Sequence, residues 1–394
     1  MTVCSIEIDL SPDDRYALPH RLWQGCPTIL RTPKGRLFAG WYSGGAGEPD
    51  PENYNLLIRS DDDGWTWSGP ELVIPSRMDR GYIAIDIQLW LDPRNRMWMF
   101  ITQRYLGKGR SIADPDHLAL WAAVCDDPDA EILEWGTPRF IANGFLRTQP
   151  TVLSNGDWVL CAYDWTGPNY HYSRSSDEGE TWVRCEAGKK LCPDFDETMI
   201  LERRDGTLLM FARDIRPLMV RTESCDLAGT SWTPGAYTKL LNAQSRFFLK
   251  RLRSGRVLLI HNGASCYRTN LCAKLSEDDG ETWPHSILLD AADTPARGVS
   301  YPDAVEDENG RIFIIYDRGR MTAREILMAR IQEEDITAGR IVSDASYLAR
   351  IISKAPVPAD REAYEKRRAF RIQWKQEMFT DLCRGNDIFS GRVR

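Results

Sequence analysis

The chain has 394 residues, of which 27% are charged and 42% hydrophobic, proportions typical of a folded globular protein rather than a disordered one. Its 50 basic and 57 acidic side chains give a net charge of -7, which argues against non-specific nucleic-acid binding. No run of 18 apolar residues and no secretory leader is visible, and ten cysteines are scattered, so we expect a cytoplasmic protein with reduced thiols and no membrane partner.

One pattern recurs six times along the chain, a Gly or Asn turn followed by a short apolar run. A second apolar run precedes each turn, and two such runs joined by Gly or Asn predict a β-hairpin. Neighbouring turns are 49 to 61 residues apart, so each unit has room for about four short strands. The turn residues are Gly35, Asn95, Gly156, Gly206, Gly255 and Gly310.

A second motif, Ser-x-Asp-x-Gly-x-Thr-Trp, lies further along several units. It occupies residues 60–67, 175–182 and 276–283, and a degenerate copy occupies 224–232. The Asp is expected to accept hydrogen bonds from the backbone of its own turn, the Gly to adopt a positive φ, and the Trp to pack beneath. Three intact copies of an eight-residue pattern indicate a true structural repeat.

Six such units predict an all-β fold, a six-bladed β-propeller over residues 1–335, because radial stacking buries both faces of every small sheet. Residues 4–10 alternate in polarity and are expected to complete the last blade. Residues 336–394 form a C-terminal extension with a predicted charged helix at 361–383. We expect this extension to pack on the propeller or on a partner subunit of a homo-oligomer, through Tyr364, Phe370, Trp374 and Phe379.

The propeller geometry predicts which side chains meet at one mouth of the central funnel. Residues nine before each turn, and those six to nine after it, lie at the same end of the axis. Clustered arginines there indicate an anion site, since guanidinium groups match carboxylates in shape and charge. Counting back selects Cys26, Asp86, Arg147, Glu197, Arg246 and Tyr301, and counting forward selects Tyr42, Arg104, Asp164, Arg213, His261 and Arg318.

These motifs resemble the sialidase (neuraminidase) superfamily with its Asp-box repeats. The segment Glu197–Arg213 is similar to the family's Glu-to-Arg stretch, which implies that Glu197 polarises a Tyr nucleophile and that Arg213 binds a substrate carboxylate. By the same resemblance Tyr301 is the nucleophile and Arg268 a second carboxylate ligand. The loop 44–52 is similar to the family's acid/base loop, where Glu48 and Asp50 are both candidates for the acid.

One departure from the family pattern concerns the first blade. The family has an Arg in an Arg-Ile-Pro motif there, whereas this chain reads Gln24-Gly25-Cys26-Pro27. Arg246 is our candidate for the missing arginine. The expected activity is therefore that of a sialidase-like glycosidase that removes a terminal acidic sugar, one that carries a carboxylate, from an oligosaccharide, and an acidic sugar other than sialic acid is favoured.

Two other functions remain open from the sequence. A uronate lyase would also need arginines to neutralise a carboxylate, with His261 or Tyr301 as base. A glycan-binding propeller without activity would explain the missing first-blade arginine. The remaining rim residues Arg147, Arg318, Arg104, Asp86 and Asp164 are predicted to contact substrate in either enzyme. The five histidines lack metal-ligand spacing, and we expect no metal or cofactor.

Overall fold

The computed structural model describes residues 6–105, 118–164, 167–192, 196–264 and 267–383, with side chains up to residue 377. It contains six four-stranded antiparallel sheets, which confirms the six-bladed propeller. The first strand of each blade lies nearest the central axis, and these strands contact one another between blades. The strands of the first three blades are β1 (Trp23–Arg31), β2 (Leu37–Gly44), β3 (Tyr54–Ser60), β4 (Leu72–Pro75), β5 (Tyr82–Leu91), β6 (Met97–Tyr105), β7 (Leu118–Cys125), β8 (Arg139–Asn143), β9 (Thr151–Val152), β10 (Trp158–Leu160), β11 (Asn169–Ser175) and β12 (Val183–Lys189).

The other three blades continue in chain order. Their strands are β13 (Thr198–Glu202), β14 (Leu208–Ala212), β15 (Leu218–Glu223), β16 (Ala236–Leu241), β17 (Phe248–Arg251), β18 (Val257–Asn262), β19 (Asn270–Ser276), β20 (His285–Ala291), β21 (Val299–Glu306), β22 (Ile312–Arg318), β23 (Glu325–Ile331) and β24 (Tyr347–Lys354). Two α-helices follow blade strands, α1 (Glu333–Ala338) and α2 (Arg361–Cys383), and four single 3₁₀ turns lie at Asp14–Tyr16, Leu18–His20, Met78–Arg80 and Pro295–Arg297. Within the described ranges, neither helix has the length and apolar character needed to cross a bilayer.

Each predicted Gly or Asn turn joins the first two strands of a blade. At the first turn, for example, the Gly35 amide donates to the Thr32 carbonyl at 3.0 Å. All six turn residues have a positive φ, from 63° at Asn95 to 99° at Gly35, a conformation that Gly and Asn adopt at least cost.

The Ser-x-Asp-x-Gly-x-Thr-Trp turns join the third and fourth strands and have the expected internal bonds. Asp62 accepts hydrogen bonds from the Thr66 amide at 2.8 Å and the Thr66 hydroxyl at 2.6 Å. Gly64 has a φ of 83°, and the Trp67 indole donates to its carbonyl at 3.2 Å. The same turn chemistry recurs in the degenerate copy, where Thr230 donates to Asp226 through both its amide and its hydroxyl.

The ring closes between the first and sixth blades, and the way it closes differs from our expectation. The outer strand of blade six is β24, so this blade extends past the boundary expected at 335. The N-terminal segment expected to complete it is described from residue 6 onward, and there Asp9 pairs instead with Val73 on the outer strand of blade one. The closure is therefore made by packing, in a hydrophobic cluster where Ile29 and Trp41 of blade one meet Phe313 and Ile326 of blade six.

A polar network adds to this apolar packing on the axis. The buried carboxylate of Asp303 accepts hydrogen bonds from Thr28 Oγ1 at 2.6 Å, Gln88 Nε2 at 2.9 Å and Gln149 Nε2 at 3.2 Å. These residues come from blades one, two, three and six. Because buried polar groups must be paired, the network keeps the inner strands in a single register around the axis.

Candidate functional site

A tyrosine and a glutamate form the centre of a charged cluster at one end of the axis. The Tyr301 hydroxyl donates to Glu197 Oε1 at 2.9 Å, and both side chains are 2% exposed. Arg147 and Arg213 donate to the Tyr301 oxygen at 2.8 and 3.0 Å, and to the two oxygens of Glu197 at 3.1 and 2.8 Å. Arg147 also donates to Asp86 at 2.7 Å. The phenol is thus held against a carboxylate and two guanidinium groups.

The electrostatics keep this pair in one charge state at neutral pH. Burial raises the pKa of Glu197, but Arg213 and Arg147 outweigh it and hold the pKa at about 2. Burial also raises the pKa of Tyr301, against the opposing effect of Arg147. The phenol is therefore neutral and the carboxylate ionised. The same guanidinium groups would stabilise negative charge developing on the phenol oxygen, as preorganised donors do.

Backbone bulges aim the central side chains. The inner strands β1, β5 and β21 each shift register, between Gly25 and Thr28, between Ala84 and Ile87, and between Ser300 and Asp303. Cys26 and Tyr301 lie in two of these bulges, each with a φ of 56°. Since a positive φ is unfavourable for a residue with a Cβ, the surroundings must hold it. Bulges of this kind redirect side chains next to functional sites.

Arg246 holds these bulges and does not face a ligand. Its guanidinium donates to the backbone carbonyls of Arg147, Pro27, Tyr301 and Pro302 at 2.6 to 3.0 Å, and the residue is 2% exposed. Bulged strands leave ladder carbonyls without partners, and this buried arginine supplies the donors. The expectation that Arg246 takes the place of the missing first-blade arginine is therefore wrong.

Arg320 lies against Gly25, the position at which the family pattern has an arginine. A Cβ on Gly25 would lie 2.8 Å from Cδ of Arg320, so the arginine stem fills the space above the glycine. Its guanidinium carbon lies 4.1 Å from the centre of the Tyr301 ring. Arg320 donates to Asp317 at 2.9 Å and to Glu48 at 3.2 Å.

Arg268 also lies over the Tyr301 ring, with its guanidinium carbon 5.0 Å from the ring centre. Its guanidinium group donates a hydrogen bond to the Gln244 carbonyl at 2.8 Å. Among the described residues it has no ion pair with a carboxylate. Burial and the neighbouring Arg213 and Arg320 lower the pKa of Arg268. Arg147, Arg213 and Arg320 each have a carboxylate partner, whereas Arg268 has none among the described residues.

The structure separates the two candidate acids of the 44–52 loop. The Glu48 carboxylate meets Arg320 in the cluster and is 31% exposed. Burial raises its pKa, but Arg320, Arg147 and Arg268 outweigh this and lower it. Asp50 instead caps its own loop, accepting from the Ala46 and Glu52 amides at 2.9 Å each. Asp50 is fully buried and points toward α2, where it bonds Arg367.

The candidates selected before the turns all gather at the axis, whereas only three of the six selected after the turns, Arg213, Arg104 and Tyr42, lie there. Arg213 joins the Tyr301 cluster, and Arg104 lies beside it, with its guanidinium 5.4 Å from the Phe145 ring. The second strand of each blade lies one layer further from the axis, so its side chains reach the mouth only from favourable positions.

The remaining three candidates are bound elsewhere, which corrects their assignment to the site. Asp164 pairs with Arg184 at 2.8 Å. Arg318 donates to Asp290 on β20 and to Glu325 on β23, at 3.2 and 2.7 Å.

His261 shares a hydrogen bond of 2.8 Å with the Leu241 carbonyl. Burial and Lys274 lower its pKa to about 4. It has the contacts of a structural histidine, and a lyase base at this position is not supported.

The chain matches a known protein family. A family model described as a BNR repeat-like domain matches residues 88–314. The chain belongs to this family. A comparison with curated protein sequences gives no match.

Solved structures of sialidases share the fold. Hadza microbial sialidase Hz136 is 19% identical with a TM-score of 0.62, covering 76% of this chain and 64% of its own. The intramolecular trans-sialidase from Ruminococcus gnavus, in complex with oseltamivir carboxylate, is 15% identical with a TM-score of 0.65, covering 84% and 99%. The NanB sialidase from Streptococcus pneumoniae is 16% identical with a TM-score of 0.63, covering 84% and 71%. At these identities the likeness shows the fold.

The sequence pattern missed Arg320, although two signals were present. Gly25 stands where the resemblance leads one to expect a long side chain, and Arg320 follows the sixth-blade candidate Arg318 by two residues. In a β-strand, residues two apart share a face, but Arg320 lies beyond the end of β22. Its direction is set by the loop and by Asp317.

No cluster of His, Cys, Asp or Glu with the arrangement of a metal site occurs in the described part of the chain.

Proposed function

We propose that the protein is a retaining glycosidase of the sialidase type, acting on a terminal sugar that carries a carboxylate. The observation that supports this best is the neutral Tyr301 phenol, 2.9 Å from ionised Glu197 and within 3.0 Å of two guanidinium groups. A carboxylate nucleophile would repel an acidic substrate, whereas a neutral phenol becomes charged only on attack.

The substrate carboxylate is assigned to Arg268, which has no carboxylate partner among the described residues, with Arg320 beside it. Both guanidinium groups lie over the Tyr301 ring. An ionised carboxylate supplies the counter-charge that Arg268 lacks, and a forked guanidinium binds it with two parallel hydrogen bonds. Asp86 Oδ1 is buried and without a partner among the described residues, so it is the acceptor we assign to a sugar hydroxyl.

The first chemical step transfers the sugar to the enzyme. The Tyr301 oxygen attacks the anomeric carbon while its proton passes to Glu197, and Arg147 and Arg213 stabilise the charge on the phenol oxygen. The glycosidic C–O bond breaks, and Glu48 protonates the leaving oxygen. In the second step Glu48 removes a proton from water, which attacks the anomeric carbon. The bond to Tyr301 then breaks and Glu197 returns the phenol proton.

The test is a panel of acidic glycosides incubated with the wild type and the Tyr301→Phe variant, read for released reducing sugar and for near-ultraviolet absorbance. We expect reducing sugar from the wild type and a loss of about 10³-fold or more in the variant, the scale on which single groups in a catalytic unit act. Absorbance from a new C=C bond would show elimination and contradict the proposal. Binding without turnover across the panel would establish a glycan-binding propeller instead.

The cytoplasmic location of the protein stays a prediction.

A further inference from the structure

The C-terminal helix α2 lies across the mouth that contains Tyr301. One face of the helix makes the contacts, because residues three or four apart share a face. Arg371 donates to the Pro49 carbonyl at 3.1 Å and also bonds the Glu48 carbonyl, and Arg367 donates to Glu52 at 2.9 Å. A Cβ on Gly47 would lie 2.7 Å from Cζ of Arg371, so the glycine allows this close approach.

Apolar packing continues the contact toward the axis. Trp374 packs against a buried cluster at the funnel mouth that includes Trp23, Tyr42 and Tyr301. Lys375, one position further, is near enough to Glu48 to affect its pKa. The helix is therefore anchored on the acid loop at one side and on the hub at the other, which fixes the direction of its other side chains.

This placement brings Tyr364 and Arg368 to the wall of a cavity of about 610 Å³. The same cavity is lined by Arg268 and Arg320, the two guanidinium groups over the Tyr301 ring, together with Ser300 and Tyr267. Three of the described lining residues are arginines and none is acidic. The cavity is thus an open, positively charged space that adjoins the proposed catalytic centre.

Arg368 is free to meet a ligand. Its side chain is 45% exposed, and its ion pair with Glu365, at 3.6 Å, is on the surface. Exposed pairs of this kind contribute little and are readily exchanged. Tyr267 is 59% exposed and Tyr364 partly so, and aromatic side chains of this type pack against sugar rings through their apolar faces.

We propose that this cavity binds a second acidic unit of the substrate, with Arg368 as its charged ligand, so that the preferred substrate is a saccharide carrying carboxylates on two successive units. The inference rests on the proposed function, since it takes the first carboxylate to be bound at Arg268. The C-terminal extension is then part of the substrate site, and Arg368 is a specificity-determining residue.

The test is calorimetric titration of the full chain with N-acetylneuraminic acid and its α2,8-linked dimer, and with galacturonic acid and digalacturonic acid. The variants are Arg368→Ala and Arg368→Glu. The control is Lys366→Ala, which removes the same charge from the same helix, at a side chain 75% exposed and paired with Glu362. A fourth variant, Arg268→Ala, reports on the first carboxylate.

For Arg368→Ala we expect two-acid ligands to bind about three- to tenfold more weakly, the effect of losing one hydrogen bond at a partly exposed side chain, and one-acid ligands to change less than about twofold. Arg368→Glu should enlarge the difference, Lys366→Ala should show none, and Arg268→Ala should weaken both classes. If Arg368→Ala weakens both classes of ligand equally, or weakens neither, the inference is overturned. The proposed function still stands in that case, provided that Arg268→Ala weakens binding of both classes. Failure of Arg268→Ala to weaken any ligand contradicts the proposed function and this inference with it.

Discussion

Arg320 lies in the space that a side chain at Gly25 would need. A Cβ there would meet Cδ of Arg320 at 2.8 Å and its Nε at 2.9 Å, distances at which one of the two side chains must shift. The two positions are far apart in the chain but adjacent where blade six meets blade one. The absent side chain at residue 25 is thus a condition for the arginine at residue 320 to reach the Tyr301 ring.

Exchanging the two positions is a direct test of this relationship. Arg320→Ala should weaken binding of an acidic monosaccharide by about ten- to a hundredfold, since a hydrogen bond to a charged group contributes roughly 1.5–3 kcal/mol. Gly25→Arg alone should destabilise the fold, whereas Gly25→Arg with Arg320→Ala should recover part of the affinity. Titration calorimetry and thermal melts measure both effects. A double variant that binds no better than Arg320→Ala would count against the exchange.

Arg246 should contribute to folding stability more than to ligand binding. Arg246→Met keeps much of the volume but leaves buried carbonyls of Pro27, Tyr301 and Pro302 without their donor, and each unsatisfied group costs about 1–3 kcal/mol. We expect the free energy of unfolding in urea to fall by about 3 kcal/mol or more. A variant with unchanged unfolding and selectively lost ligand affinity would return Arg246 to the binding site.

The ionised Glu197 carboxylate should make the free energy of unfolding depend on pH in the acidic range. Its pKa of about 2 lies below the ordinary 4.5 that it has when unfolded, so its contribution is present above pH 4.5 and is lost as the pH falls through 2. A shift of this size corresponds to about 3 kcal/mol. Urea unfolding between pH 5 and pH 2 should therefore show a flatter pH dependence for Glu197→Gln than for the wild type.

Glu202→Gln is the matched control for that comparison, because Glu202 ends the same strand β13 outside the Tyr301 cluster. Its curve should follow that of the wild type. Parallel curves for the wild type and Glu197→Gln would show that the guanidinium groups do not hold the carboxylate in its ionised form.

Ligand binding should be coupled to a proton at Glu48. In the free protein Arg320, Arg147 and Arg268 outweigh burial and keep the pKa of Glu48 low. A bound carboxylate competes for Arg268 and Arg320, so the pKa of Glu48 rises and the proton needed by a general acid is taken up. Affinity for an acidic monosaccharide should therefore increase as the pH falls.

Calorimetry in buffers of different ionisation enthalpy measures this proton uptake. It should disappear in Glu48→Gln and persist in Glu52→Gln, which alters an exposed carboxylate of the same loop. Uptake that is unchanged in Glu48→Gln would place the proton on another group, and Asp86, whose pKa burial raises, is the next to examine.

The repeat pattern was sufficient to predict the fold and the centre of the site. Six turns at regular spacing specify which strand of each blade is innermost, and a strand's side-chain positions follow from its register. For this reason Asp86, Arg147, Glu197 and Tyr301, each nine residues before a turn, meet as expected. The turn motifs were equally predictable, since their hydrogen bonds lie within eight residues of chain.

The roles of the long side chains and of the loop required the tertiary structure. Arg246 and Arg320 are both arginines near one mouth, and only their contacts show that one bonds bulge carbonyls while the other fills the space above Gly25. Glu48 and Asp50 differ by two residues, and the loop conformation turns one to the cluster and the other to α2. Such contacts join segments as much as 317 residues apart, so local sequence pattern does not encode them, whereas strand order and register follow from it.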